Sequence, residues 1–230
     1  LALEVHNLTV SYNRKPVLWD IDFSLPQGKL IGIVGPNGSG KTTLLKTIMG
    51  LLEPDSGYVE VKGKPLKEVR NQVSYVPQRE SVDWDFPADV MDVVKMGRYR
   101  KSNILKRLSQ DDKRIAIESL EKVDLLEFSN RQIGELSGGQ QQRVFIARAL
   151  AQQGEVYLMD EPFVGVDAAT EDAILKLLVE MKSKGKTVSI VHHDLQTAYE
   201  YFDWMVLLNT RLVACGPKEE VFTKEKLQEA

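Results

Sequence analysis

Gly35-Pro36-Asn37-Gly38-Ser39-Gly40-Lys41-Thr42 stands between the apolar stretch Leu30-Ile31-Gly32-Ile33-Val34 and the helix-forming run Thr43-Leu44-Leu45-Lys46-Thr47-Ile48-Met49. Strand, glycine-rich loop, helix is the setting in which this spacing of Gly, Lys and Thr binds phosphate. The glycines let successive backbone N–H groups turn inward on phosphate oxygens, where a Cβ would collide, and the helix adds the positive end of its dipole. In this reading Lys41 reaches the β- and γ-phosphates of a nucleotide and Thr42 holds Mg²⁺ through its hydroxyl. A glycine-rich turn without a ligand needs no Lys-Thr pair at this spacing.

Outward from the loop the chain divides by pattern. Leu3 to Val10 and Val17 to Leu25 alternate apolar and polar residues, as half-buried antiparallel strands do, with turns expected at Asn13-Arg14-Lys15-Pro16 and Pro26-Gln27-Gly28. Gly57 to Gly63 and Val73 to Val76 read as two further strands. From about 87 to 129 the pattern becomes helical, with Val90, Val93 and Val94 in one segment and Ile115, Ile117, Leu120 and Val123 in another. The α/β pattern then resumes: strand Glu155 to Met159, an amphipathic helix carrying Ile174, Leu175, Leu178 and Val179, strand Thr187 to Val191, and a hairpin around Trp204 to Cys215. The expectation is an α/β fold over 1–230 as one domain. It has a mostly parallel core sheet, an N-terminal antiparallel β subdomain and a helical subdomain inserted at about 87–129.

With 230 residues, 43% of them hydrophobic, the chain can bury a sizeable core. Runs such as Met205-Val206-Leu207-Leu208 fall short of the roughly 18 apolar residues of a spanning helix. The opening residues show neither a signal nor a transit pattern, which predicts a cytoplasmic location, and a lone Cys215 excludes an internal disulfide. A net charge of -3 argues against a general nucleic-acid binder.

Asp160 and Glu161 close the apolar strand and Pro162 follows. Adjacent acids after a strand are by themselves an ordinary solvated turn. In a chain with a phosphate loop they supply what phosphoryl transfer requires, a metal-holding carboxylate and a group that orients water. Leu136-Ser137-Gly138-Gly139-Gln140 opens another helical run. Ser137 and Gln140 have capping-box spacing. The two glycines cost helix stability and point to something approaching the backbone closely, and a helix start with bare N–H groups is an anion site. Two phosphate-binding devices in one chain are explained by a head-to-tail pair of subunits, each covering the other's nucleotide.

On these motifs the chain resembles, over nearly its whole length, the nucleotide-binding subunit of an ATP-binding-cassette (ABC) transporter, a P-loop ATPase. The resemblance implies ATP and Mg²⁺ as ligands. It implies that Gly35 to Thr43 embrace the phosphates, that Tyr12 stacks on adenine and that Thr42, Gln78 and Asp160 arrange the metal. Glu161 then polarises the attacking water, Lys41 stabilises the phosphoryl charge, and His193, the neighbour of Asp194, meets the γ-phosphate. Ser137, Gly138, Gly139, Gln140 and Asp167 cover the opposite subunit's nucleotide. The loop Val164-Gly165-Val166-Asp167 departs from the commoner Ser-Ala-Leu-Asp.

Tyr75 to Pro87, Met96 to Tyr99 and Asp160 to Thr170 are similar to importers of manganese, zinc or iron. Manganese or zinc is the first expectation. An iron, haem or siderophore importer is the alternative, and a soluble non-transport cassette ATPase ranks below it. The resemblance implies permease subunits, an extracytoplasmic metal-binding protein acting through them, a second copy of the chain, no nucleic acid, and a place on the cytoplasmic face of the cell membrane. Trp84, Phe86 and Tyr99 either line the groove where the membrane subunit docks or pack within the helical segment.

Overall fold

Leu3–Tyr12 (β1) and Lys15–Leu25 (β2) pair as an antiparallel hairpin. Its turn is the two residues Asn13 and Arg14 at φ 50° and 63°, the left-handed pair that matches the twist of the flanking strands. The turn is thus narrower than the four residues expected from sequence. Lys15 and Pro16 belong to the strand, and Pro16 is tolerated because β2 is a sheet edge. Leu30–Val34 (β3) leads through the glycine loop to Lys41–Ile48 (α1). Ser56–Val61 (β4), Lys64–Pro65 (β5), Leu66–Val69 (α2) and Val73–Val76 (β6) follow. Val90–Met96 (α3), Gln110–Glu121 (α4) and Gly138–Ala151 (α5) make a helical stretch. Alternation then returns with Val156–Asp160 (β7), Ala168–Ser183 (α6), Thr187–Val191 (β8) and Leu195–Tyr201 (α7). The hairpin Trp204–Asn209 (β9) and Arg211–Pro217 (β10), with Lys218–Val221 (α8) and Lys224–Glu229 (α9), completes the order. This computed structural model describes residues 1–84, 86–99 and 108–229, so Asp85 and the part of the expected helical insertion at 100–107 lie outside the described residues.

The strands form two sheets. The antiparallel one runs β2-β1-β4-β5, and the larger one runs β10-β9-β3-β8-β7-β6 with β9, β3, β8, β7 and β6 mutually parallel. Strand periodicity explains how the core is shared between them. Ile31 and Ile33 of β3, with Val156 and Leu158 of β7, face the antiparallel sheet and pack with Leu44, Leu45 and Ile48 of α1. Leu30 and Val34, with Tyr157 and Met159, face the opposite side, where the helical stretch and α6 cover them. Parallel strands clad on both faces read as continuous apolar runs, as these do. Each fully buried Leu or Ile contributes about 1.5–3 kcal/mol relative to exposure.

Two helices place their core faces differently from the sequence expectation. In α4 the buried residues are Ala116, Ser119 and Leu120, while Ile117 is 39% exposed. Positions two apart on a helix lie about 200° apart, so Ile115 and Ile117 cannot share a face. In α6 the buried stripe is Thr170, Ile174, Leu177, Leu178 and Met181, and Val179 is 52% exposed because it stands about 100° round from Leu178.

Candidate active site

The loop begins where β3 ends at the middle of the parallel sheet. Gly40 is the residue before α1 and has φ 99°. A Cβ there would lie 2.5 Å from Leu18 Cδ2 and 2.9 Å from the Val17 carbonyl, so the hairpin presses directly on the loop. Gly38, at φ 80°, has nothing within 4 Å of where its Cβ would be; at this position backbone conformation rather than space calls for glycine. The first turn of α1 contains no acidic residue and no side-chain cap, which leaves its leading N–H groups suited to an anion.

Lys41 is 6% exposed, and its Nζ donates to the carbonyls of Gly35 and Pro36, each at 2.8 Å. Burial lowers the pKa of this ammonium, and the Glu161 and Asp160 carboxylates act in the opposite direction. Ser39 is 2% exposed and its hydroxyl lies buried without a hydrogen-bond partner among the described residues. Asn37, Gly38, Gly40, Lys41, Thr42 and Thr43, with Val17, Gln78 and Glu161, line an open cleft.

The acidic pair stands at the end of β7. Asp160 is fully buried; its Oδ1 accepts from the Thr42 hydroxyl at 3.3 Å, and its Oδ2 lacks a hydrogen-bond partner among the described residues. Burial pushes the carboxyl pKa up, the Thr42 hydrogen bond pulls it down, and the Glu161 charge adds to the rise. A buried carboxylate oxygen without a donor, beside a hydroxyl, is a hard oxygen set of the kind that suits Mg²⁺, so these residues fit that ion. Glu161 takes φ 50°, which turns the chain off the strand axis, and its Oε2 accepts from Gln78 Nε2 at 3.1 Å. The structure therefore brings together the loop, Lys41, Thr42, Asp160, Glu161 and Gln78.

The remaining candidates lie outside the cleft lining. Tyr12, 46% exposed, ends β1 beside the turn. His193 is exposed after β8, its ring 5.6 Å from that of His192. His192 is 5% exposed and shares a 2.6 Å hydrogen bond with Thr197 Oγ1, the pattern of a structural histidine. Asp167 is the N-cap of α6: it accepts from Thr170 N at 2.9 Å and from Thr170 Oγ1 at 3.0 Å, and these bonds lower its pKa. Ser137 and Gln140 form the capping box of α5. Gln140 N donates to Ser137 Oγ at 3.3 Å and Ser137 N donates to Gln140 Oε1 at 2.9 Å. The close approach expected at the two glycines is real: a Cβ at Gly138 would lie 3.0 Å from Arg79 Cζ, and one at Gly139 3.3 Å from Thr170 Oγ1.

Sequence reasoning missed Val17, which reads only as a strand residue, and Arg79, whose partner Gln141 lies too far along the chain for any local pattern to reveal. Trp84 packs rather than projecting: its ring sits edge-on to Phe145 at 5.2 Å and its Nε1 donates to the Arg79 carbonyl at 2.9 Å. Phe86 and Tyr99 remain exposed, at 54% and 53%.

A phosphate loop with its lysine, a hydroxyl-carboxylate pair and a second carboxylate held by a glutamine define a P-loop ATPase. The profile of the family described as ABC transporter matches residues 18–164, and the chain belongs to that family as an ATP-binding, ATP-hydrolysing subunit. It is 58% identical over 226 residues to the manganese transport system ATP-binding protein MntB of Bacillus subtilis, covering 98% of this chain and 90% of that one. It is 55% identical over 229 residues to the zinc transport system ATP-binding protein TroB of Treponema pallidum, covering 100% of this chain and 86% of that one. Among solved structures it is similar to a dimeric ATP-binding cassette bound to ADP and Pi after hydrolysis, with a TM-score of 0.81 and 28% identity over 94% of this chain and 98% of the other.

Proposed function

We propose that this ATPase is the motor of a membrane importer for manganese or zinc ions. The observation that carries the motor reading is the convergence of Lys41, Thr42, Gln78 and Glu161 on one cleft, with the buried Asp160 hydrogen-bonded to Thr42 behind it. The cargo reading rests on the names of the relatives, which include manganese and zinc transport systems.

In the reaction, water attacks the γ-phosphorus in line and the bond to the β-γ bridging oxygen breaks, giving ADP and phosphate. Lys41 and the loop amides meet the phosphate oxygens, where negative charge spreads. Glu161, held by Gln78, orients the water and takes up its proton through a hydrogen bond. Thr42, Asp160 and Gln78 would hold Mg²⁺, which supplies charge neutralisation on the phosphates when bound. Tyr12 stacks on the adenine and His193 orients the γ-phosphate region. Ser137, Gly138, Gly139, Gln140 and Asp167 close over the nucleotide of a second copy in a head-to-tail dimer, so that ATP favours the closed pair and hydrolysis releases it. Permease subunits convert that closure into transport, and an extracytoplasmic protein delivers the metal to them. Among the described residues no helix is long and apolar enough to cross a membrane. As the ATP-consuming partner of permease subunits, the chain works as a peripheral subunit on the cytoplasmic face, where ATP is available.

Uptake of radiolabelled manganese and zinc into proteoliposomes containing this chain with its membrane and binding subunits tests the proposal, with Lys41→Ala as control. Uptake of either ion that needs ATP and Lys41 is the expected result. ATP hydrolysis with uptake of neither ion overturns the cargo, and absence of hydrolysis overturns the motor.

A further inference from the structure

Arg79 follows Gln78 in the chain and joins the loop after β6 to the beginning of α5. Its Nε and Nη2 both donate to Gln141 Oε1, at 3.2 and 3.1 Å. Gln141 is 4% exposed, and its own Nε2 donates to the Ile133 carbonyl at 3.2 Å, in the 3-10 turn that precedes Ser137. One amide thus ties Arg79, the approach to Ser137 and the first turn of α5 together. The guanidinium also lies against the helix backbone, so close that a Cβ at Gly138 would stand 3.0 Å from Arg79 Cζ and the arginine would have to give by a few tenths of an ångström. On its other side Arg79 sits 5.9 Å over the ring of Trp84, whose Nε1 holds the Arg79 carbonyl, and Trp84 in turn rests on Phe145 of α5.

This is an unusual place for a cation. The amino end of a helix carries partial positive charge, so a guanidinium there works against the helix dipole. Local helix stability does not account for it. What the arrangement does accomplish is a rigid connection: the residue adjoining the Glu161 partner is locked to the turn that presents Ser137, Gly138 and Gly139. Arginine suits this task because its fork donates twice to one acceptor in a fixed plane, which a lysine ammonium cannot reproduce.

We propose that Arg79 is a positioning residue, which holds Gln78 and the start of α5 in one frame so that the water-orienting carboxylate and the glycine-rich helix start stay aligned between the two subunits' nucleotides. The proposal rests on the motor reading above and adds a residue to it. It predicts that loosening Arg79 leaves nucleotide capture by the Lys41 loop intact and slows turnover, because alignment rather than binding is lost.

The test uses the full chain as wild type, Arg79→Lys, Arg79→Gln, Gln141→Leu and the double variant Arg79→Gln with Gln141→Leu. Circular dichroism and thermal melts establish the folded fraction, a fluorescent ATP analogue reports affinity, and steady-state hydrolysis gives kcat. For Arg79→Gln the expected result is affinity within about twofold of wild type and kcat lowered about tenfold, with Arg79→Lys between the two. The double variant should be no slower than the slower single variant, since both break one linkage. Unchanged kcat per folded molecule, or fully additive losses in the double variant, overturns the proposal. Lys41→Ala in the same assay separates the two readings. If wild-type hydrolysis depends on Lys41 while the Arg79 variants match wild type, only this inference falls. If wild type shows no Lys41-dependent hydrolysis, both fall.

Discussion

Gln78 and Glu161 meet side chain to side chain, the glutamine amide nitrogen donating to a glutamate oxygen at 3.1 Å. They follow β6 and β7, adjacent parallel strands in which Val76 pairs with Met159, so the register of the sheet delivers the donor to the carboxylate. Glu161 is therefore aimed by strand pairing, with the side chains contributing only the last step.

Glu161→Gln keeps the size and most of the packing of that side chain while removing its capacity to accept a proton. Nucleotide binding should persist, kcat should fall by at least about 100-fold, and an ATP-dependent dimer should accumulate in size-exclusion chromatography. Hydrolysis at the wild-type rate would remove Glu161 from the mechanism.

The two loop glycines separate backbone strain from crowding. Gly38→Ala meets only the unfavourable φ and should cost about 1 kcal/mol, whereas Gly40→Ala adds contact with Leu18 and the Val17 carbonyl and should cost about 3 kcal/mol or more. Denaturant unfolding of the two variants measures the difference; equal losses would show that the hairpin yields freely to the loop.

His192 gives the fold an acid-sensitive point. Burial lowers its pKa below the ordinary 6.5, with His193 acting the same way and Asp194 against them. The unfolded chain takes up this proton below about pH 6.5 and the folded chain only at lower pH. The contribution to stability is therefore complete above that value and lost as pH falls beneath it. Melting temperature should drop between about pH 7 and pH 5, and drop less in His192→Gln. The same drop in both proteins would assign the sensitivity to other groups.

Adjacent residues of α6 offer a test of the core face. Leu178→Ala should cost about 2–5 kcal/mol, and Val179→Ala less than about 0.5 kcal/mol. Comparable losses would mean that Val179 is covered in the folded protein.

The phosphate loop, the acidic pair, the parallel strands and the terminal hairpin were legible because each is local: a spacing, an apolar run or a turn signal. The faces of α4 and α6 were less so. Apolar residues on both sides of a helix, such as Ile117 and Val179, blur the periodicity, and only packing against the neighbouring elements decides which side is covered. The Gln78–Glu161 and Arg79–Gln141 contacts were invisible for another reason. Each joins side chains far apart in sequence, and the glutamines at 140, 141 and 142 look alike until α5 assigns them different directions. The capping box was legible, yet its spacing alone could not distinguish an ordinary helix start from one with a cation lying on it.

That capping box also fixes a polarity. Ser137 Oγ already accepts from Gln140 N, and Gln140 Oε1 already accepts from Ser137 N. With those oxygens engaged toward the helix, the serine offers its hydroxyl proton and the glutamine its amide protons to whatever approaches from outside. The two bonds that begin the helix thus leave the protons of this rim free, so α5 opens on a set of donors suited to an acceptor such as a phosphate oxygen.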